Sequence, residues 1–239
     1  MTWLPLESTP EVLNPYASKL GQCDGWSFVD VWGLDDDLLA FIPQPCLAMC
    51  LLFPSDKIAG PRRAQLREAS AGGVGRHLFF VAQHDALGNA CGTIAMLHAL
   101  GNAQGSGFVL KEGLPLARFS AATAASTPSA RGDALAASTE LRALSDETAQ
   151  AGQTAGAGTD DCGDQHFITF VHAADGVTYE LDGRTLDAHG EAMVVSHGKT
   201  AGGLEFCKNV ARVVRDDFMS RDAEAVNFNV TALVKTPSE

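Results

Sequence analysis

The sequence lacks any apolar stretch long enough to cross a membrane. Its longest apolar run, residues 46–53, is eight residues long and lies between two prolines, whereas a membrane-spanning helix needs about 20 apolar residues. The first residues show neither the basic nor the apolar segment of a secretory signal. We therefore expect a cytoplasmic protein without membrane contact, whose six cysteines are thiols.

Basic residues are also scarce. The chain has 17 Lys and Arg against 29 Asp and Glu, a net charge of −12, and no basic cluster longer than Arg62-Arg63. Such a chain repels phosphate backbones, so nucleic-acid binding is not expected. No Cys-x-x-Cys pair with metal-ligand spacing occurs. The sequence thus predicts a monomer that holds no metal and needs no cofactor.

The hydrophobic pattern predicts one domain over residues 1–239, of the α/β (α+β) class, with a central sheet flanked by helices. The apolar run 46–53 is expected in the buried middle of that sheet. The other predicted strands are 26–31, 77–83, 166–172, 177–181 and 226–234. Helices are predicted from residue 35, over 91–100, as one amphipathic helix over 133–150, and over 210–218.

One cysteine differs in context from the others. Cys46, Cys50 and Cys207 lie in apolar stretches and are expected to be buried, whereas Cys91 follows the loop residues Gly88-Asn89-Ala90 at the start of a predicted helix. Unpaired N–H groups and the helix dipole favour a thiolate there, and the same N–H groups can donate to an oxyanion. Taken alone, this pattern is equally typical of a buried structural cysteine.

A nucleophilic thiol needs a histidine as general base. His98 lies about two turns, ~10 Å, along the helix of Cys91 and is too far away, so we expect a partly buried structural histidine. His166 begins a strand, and the returning strand of its hairpin ends at Asp182. A three-residue loop at 174–176 would place Asp182 opposite residue 168, on the face of His166, whereas a two-residue turn would place it on the other face.

Three segments carry a resemblance to a known family. Residues 89–94 read NACGTI, residues 166–168 read HFI and residues 179–184 read YELDGR. In this order they resemble the ubiquitin C-terminal hydrolases, papain-like cysteine proteases that cleave at the C-terminal glycine of ubiquitin. The resemblance spans most of the chain but is poor over 114–160 and 185–197. It implies a papain-like fold with a central antiparallel sheet and with the nucleophile at the N-terminus of a central helix. It also implies that Cys91 is the nucleophile, His166 the general base and Asp182 the residue that orients the histidine.

The sequence departs from the family at the oxyanion hole. The family places a glutamine six residues before the nucleophile, where this chain has Asp85, whose carboxylate would repel an oxyanion. The strand before this loop resembles the family's up to Gln83, so we predict Gln83 as the donor and keep Asp85 as the alternative without a gap. The departure also leaves an alternative function, a catalytically impaired protein of the same fold that binds ubiquitin. The resemblance implies ubiquitin as the partner, with a ubiquitin-like modifier as the alternative.

Residues 151–163 contain almost nothing to bury and are predicted to form a flexible surface loop. In the family, the corresponding loop crosses over the active site. The resemblance therefore implies a substrate-access loop that passes small or disordered adducts of ubiquitin. Its predicted members include Gly152, Thr154, Gly156 and Gly158.

Overall fold

The computed structural model describes residues 3–55, 57–69, 77–103, 107–152, 165–187 and 192–236. Eight α-helices occur in these ranges: α1 Pro10–Leu20, α2 Asp36–Leu39, α3 Ala59–Ala69, α4 Cys91–Asn102, α5 Pro115–Ala122, α6 Pro128–Ala137, α7 Thr139–Ala151 and α8 Leu204–Val213. A π turn, Val214–Phe218, continues α8. The strands are β1 Trp26–Asp30, β2 Cys46–Pro54, β3 Gln165–His172, β4 Val177–Leu181, β5 Val195–Lys199 and β6 Asn229–Lys235.

The six strands form one sheet in the order β1-β6-β2-β3-β4-β5, and every neighbouring pair is antiparallel. The predicted class, an α+β fold with a central antiparallel sheet, is confirmed. The position of β2 is confirmed as well, because β6 and β3 cover both of its edges. A strand that is buried on both faces and both edges needs the continuous apolar sequence that β2 has.

Successive residues of β2 contribute to two separate hydrophobic cores. Ala48 and Cys50 pack on the face that α1, α4, α5, α6 and α7 cover. Met49, Leu51 and Phe53 pack on the opposite face, against α2 and α8. The sheet therefore divides the molecule into two apolar layers, and α4 lies in the first of them, where it contacts β3.

The predicted strand over 77–83 is wrong, since the backbone there pairs with none of the strands that the structure describes. Side chains of α4 satisfy it instead: the Phe79 amide donates to Asn102 Oδ1 at 2.7 Å, and the Val81 amide donates to His98 Nε2 at 2.9 Å. The next two amides, of Ala82 and Gln83, donate to the carbonyls of Pro128 at the start of α6 and of Gly183. An apolar segment of this kind has the composition of a buried strand, but its backbone is satisfied without a ladder.

The single helix predicted over 133–150 is also wrong. Two helices, α6 and α7, meet at Ser138, whose backbone is extended (φ −78°, ψ 100°). Its hydroxyl accepts from the Leu141 amide at 3.2 Å and so caps the start of α7. Serine favours a helix start over a helix interior because it offers this bond, and the break follows.

No helix among the described residues is long and apolar enough to cross a membrane.

Candidate active site

Cys91 is the first residue of α4, as the sequence predicts. The preceding residue, Ala90, provides no side-chain cap, so the first-turn N–H groups of the helix remain available to an anion. The Cys91 side chain is half-buried, in contrast to Cys46, Cys50 and Cys207, which are buried. The position therefore combines access with a helix end that stabilises negative charge.

The hairpin of β3 and β4 has the register that brings His166 and Asp182 together. Thr169 pairs with Leu181, so the next residues outward, 168 and 182, stand opposite each other. The loop between the strands has three residues and ends at Gly176, whose φ of 77° a glycine adopts without strain. The predicted three-residue loop is confirmed, and the alternative two-residue turn is wrong.

The His166 imidazole is buried between the carboxylate and the thiol. Its Nε2–H donates to Asp182 Oδ1 at 2.6 Å, which leaves Nδ1 as the nitrogen available to Cys91. Nδ1 is buried and makes no full hydrogen bond with any residue that the structure describes. The thiol is nevertheless close enough for the two groups to shift each other's pKa. This arrangement fixes the tautomer that accepts a proton at Nδ1.

The pKa shifts of Cys91 and His166 favour a thiolate and an imidazolium. Burial raises the pKa of Cys91, but His166, the Phe167 amide and Arg184 outweigh it and lower that pKa. Burial lowers the pKa of His166, but Asp182 and Cys91 outweigh it and raise that pKa. The thiol therefore loses its proton more readily, and the imidazole holds one more firmly, than either group does in water.

The Asp182 carboxylate accepts four hydrogen bonds. Oδ1 accepts from His166 and from the Arg184 amide at 2.9 Å, and Oδ2 accepts from Arg63 Nε at 2.9 Å and Thr185 Oγ1 at 2.8 Å. Burial raises the pKa of Asp182, but the charge and hydrogen bond of His166 and the charge of Arg63 outweigh it and hold that pKa well below its usual range. The carboxylate stays ionised and cannot rotate away from the histidine.

Gly183 brings the oxyanion candidate to this site. A Cβ on Gly183 would lie 3.0 Å from Ile94 Cγ2 and 3.1 Å from the Val81 carbonyl, so any larger residue would push α4 and segment 79–83 away by a few tenths of an ångström. Its carbonyl accepts from the Gln83 amide at 2.8 Å. The backbone at Gln83 is thereby tied to the residue that follows Asp182.

The two candidate oxyanion donors have different environments. Gln83 is buried, and its Nε2 donates to the Gly88 carbonyl at 2.8 Å. Asp85 is exposed at the start of the short turn Asp85–Leu87. Both line a cavity of about 390 Å³ in front of the Cys91 loop, together with His84, Gly88 and Arg184. The amide of Gln83 is the donor held in a fixed position.

The remaining candidates are placed as follows. Gly152 comes directly after α7, and its amide donates to the Ala149 carbonyl at 3.4 Å. The other predicted members of the access loop, Thr154, Gly156 and Gly158, lie outside the described residues.

His98 is fully buried, and burial lowers its pKa to about 3. It therefore stays neutral and accepts from Val81, a structural role. No cluster of His, Cys, Asp and Glu suited to a metal ion occurs in the described ranges.

Sequence reasoning missed the charged contacts that α3 makes with β4. The Arg62 guanidinium holds both oxygens of Glu180, with Nη2 at 2.7 Å from Oε2, and its Nε donates to Asp217 at 2.7 Å. Arg62 and Glu180 are both buried. The available signal was Glu180 itself: a carboxylate two residues before Asp182 shares its face of the strand and needs a cation when buried.

A central antiparallel sheet, a thiol at the start of a buried helix and a histidine–aspartate pair on a hairpin define a cysteine-type hydrolase. The sequence model described as "Ubiquitin carboxyl-terminal hydrolase, family 1" matches residues 3–219. This chain belongs to that family.

Named relatives agree over nearly the whole chain. A ubiquitin carboxyl-terminal hydrolase of Aplysia californica is 39% identical over 227 residues, covering 93% of this chain and 97% of the relative. Another, of Drosophila melanogaster, is 38% identical over 239 residues, covering 98% and 97%. Among solved structures, the Trichinella spiralis UCH37 catalytic domain bound to ubiquitin vinyl methyl ester superposes with a TM-score of 0.76 at 20% identity, covering 98% of this chain and 95% of that one.

Proposed function

We propose that this chain hydrolyses the peptide, amide or ester bond at the C-terminal glycine of ubiquitin, with Cys91 as nucleophile. His166 Nδ1 takes the thiol proton, and the sulfur attacks the glycine carbonyl. The N–H of Cys91 and the amide of Gln83 stabilise the oxyanion that forms. His166 then returns the proton to the leaving amine or alcohol, and water hydrolyses the thioester.

One observation carries this proposal: the 2.6 Å bond from His166 Nε2 to Asp182. It gives the imidazole its orientation and tautomer, and it leaves the other nitrogen, Nδ1, for the half-buried thiol of Cys91 at the start of α4. A family protein that had lost catalysis would have no need of this pair. The described residues of the site thus support the hydrolase rather than the impaired ubiquitin-binding protein.

A ubiquitin probe with an electrophilic C-terminus tests the assignment. The wild-type protein is expected to form a covalent adduct, which peptide mapping locates at Cys91, and the Cys91→Ser variant is expected to form none. An unmodified wild-type protein that still binds ubiquitin would instead identify the impaired relative. An adduct at another cysteine would overturn the choice of nucleophile.

The oxyanion assignment predicts a split between two neighbouring variants. Gln83→Ala is expected to lower kcat by roughly 10²- to 10³-fold with little change in KM, because the amide acts on charge that exists only in the transition state. Asp85→Ala, an exposed change in the same loop, serves as the matched control and should change kcat by less than about threefold. Steady-state kinetics on a ubiquitin ester measure both; a larger loss for Asp85→Ala would favour the alignment without a gap.

We also propose, from the sequence, a limit on the size of the group attached to ubiquitin that the site can release. The composition of residues 151–163 supports a loop that limits the site to small or disordered adducts. We expect ubiquitin fused to an unstructured peptide to be cleaved at least about tenfold faster than ubiquitin fused to a stable domain. Gly/Ser inserts between Ala155 and Thr159 should narrow this gap, because a longer loop spans a wider opening. Equal rates on both fusions would contradict the proposal.

We also propose that residues 1–239 form one catalytic unit that acts as a cytoplasmic monomer without a cofactor. The net charge of −12 supports an absence of nucleic-acid and anionic-membrane partners.

A further inference from the structure

Three arginines of α3 contact the chain around Asp182. Arg62 holds Glu180, Arg63 Nε donates to Asp182 Oδ2 at 2.9 Å, and Arg67 Nε donates to the Leu186 carbonyl at 3.1 Å. The Arg62 contacts are buried and fix the helix against β4. Arg63 is therefore presented to the carboxylate by a helix that the buried side chain of its neighbour Arg62 anchors.

Arg63 brings a positive charge to the side of the Asp182 carboxylate that His166 does not occupy. His166 and the Arg184 amide occupy Oδ1, while Arg63 and Thr185 occupy Oδ2. The Arg63 side chain is 18% exposed, and Asp182 is its only acidic partner among the described residues. Its Nη2 is buried without a hydrogen-bond partner in those ranges. Within those ranges, Asp182 is thus the carboxylate on which the charge of Arg63 acts directly.

We propose that Arg63 is a positioning residue of the active site: by holding Oδ2 it turns Oδ1 toward His166, and its charge sets the pH range in which the thiol and imidazole form an ion pair. The inference rests on the proposed function. Within the part of the chain that the structure describes, Arg63 makes no hydrogen bond or ion pair with the thiol or the imidazole, so it acts through Asp182.

The direction of the effect follows from the charges around the pair. Asp182 and Cys91 face His166, Arg184 acts on Cys91, and the neutral His98 lies near Asp182. Arg63 balances part of the Asp182 charge. Without Arg63, the unbalanced negative charge of Asp182 would raise the pKa of both the imidazole and the thiol. Activity rises as the thiol ionises and falls as the imidazolium deprotonates, so both limbs of the pH profile would move to higher pH.

The experiment measures the pH dependence of two reactions of the full chain. Alkylation of Cys91 by iodoacetamide reports thiolate formation without ubiquitin, and kcat/KM on a ubiquitin ester reports catalysis. In Arg63→Gln, the acid limb of both is expected to move up by about one pH unit. The kcat should fall about tenfold at neutral pH, with KM within about twofold of wild type, because Asp182 orients a group that does not bind substrate.

Two further variants separate charge from folding. Arg63→Met repeats the test with an unbranched apolar side chain, so the result does not depend on one variant's folding. Arg63→Lys restores the charge and should return the acid limb to within about 0.3 pH unit of wild type. Arg67→Gln removes a cation from the next turn of α3 without touching Asp182, and it should leave the profile unchanged.

An acid limb of alkylation that stays at the wild-type pH in both neutral variants would overturn the proposal. An equal shift in Arg67→Gln would overturn it too, because the effect would then belong to net charge. If the wild-type protein hydrolysed no ubiquitin ester, the proposed function would fail, while alkylation would still report the coupling of Arg63 to the thiol.

Discussion

His166→Ala is expected to reduce hydrolysis of a ubiquitin C-terminal ester by roughly 10⁴-fold or more at neutral pH. The thiol would lose both its proton acceptor and the neighbour that lowers its pKa, and the leaving group would lose its proton donor. Cys91→Ser should be equally severe. Asp182→Asn should cost about 10²-fold or more, because an amide at this position no longer stabilises the imidazolium.

Non-additivity is the signature that distinguishes a catalytic unit from three independent residues. The Cys91→Ser, His166→Ala double variant is expected to be no less active than either single variant, since each change already abolishes the same step. His77→Ala is a matched control, because this exposed histidine contacts Asp175 and Tyr179 rather than the thiol. Losses that multiply in the double variant, or full activity in His166→Ala, would contradict the assignment.

The second large effect is on stability. Glu180→Ala is expected to lower the free energy of unfolding by about 3–5 kcal/mol, because it leaves the buried Arg62 guanidinium without the carboxylate that holds it from both oxygens. Arg62→Met should be similarly costly, since Glu180 would keep only His197, at 2.9 Å, as a partner among the described side chains. Urea denaturation monitored by circular dichroism measures both losses.

The double variant is the control for this prediction. Replacing both members, Arg62→Met with Glu180→Leu, removes the buried charges together, and it should recover at least half of the stability that either single change costs. Asp217 would remain paired with Arg221, whose Nη2 lies 2.5 Å from it. Single variants that lose less than about 1 kcal/mol would show that water reaches the pair and that it is not a buried contact.

The hairpin and the helix start could be predicted from sequence because local signals specify them. A glycine at the third loop position selects a three-residue loop, and the parity of the strands then places Asp182 on the face of His166. Cys91 follows a glycine-containing loop and begins a helical repeat. Both inferences require only residues close to the site in the chain, together with the alternation of a strand.

The errors arise where partners are distant in sequence. Segment 77–83 has the composition of a strand, but its amides bond to His98 and Asn102, which no local pattern of that segment reveals. In the sequence, Arg62 and Arg63 form only a short basic pair, although both reach carboxylates more than a hundred residues away. Only the inward position of Glu180 indicated that a buried cation was required.

Helix α4 carries more of the site than its cysteine. Its His98 and Asn102 accept hydrogen bonds from the backbone of segment 79–83, so this one helix helps to position both the Gln83 amide and the Cys91 thiol. The imidazole and the carboxylate belong to the β3–β4 hairpin. Two hydrogen bonds join this hairpin to α4 and its segment: Thr169 Oγ1 donates to the Ala95 carbonyl at 2.8 Å, and the Gln83 amide donates to the Gly183 carbonyl at 2.8 Å. The nucleophile, the base and the oxyanion donor therefore share one interface between distant parts of the chain, and a substitution at that interface would disturb all three together.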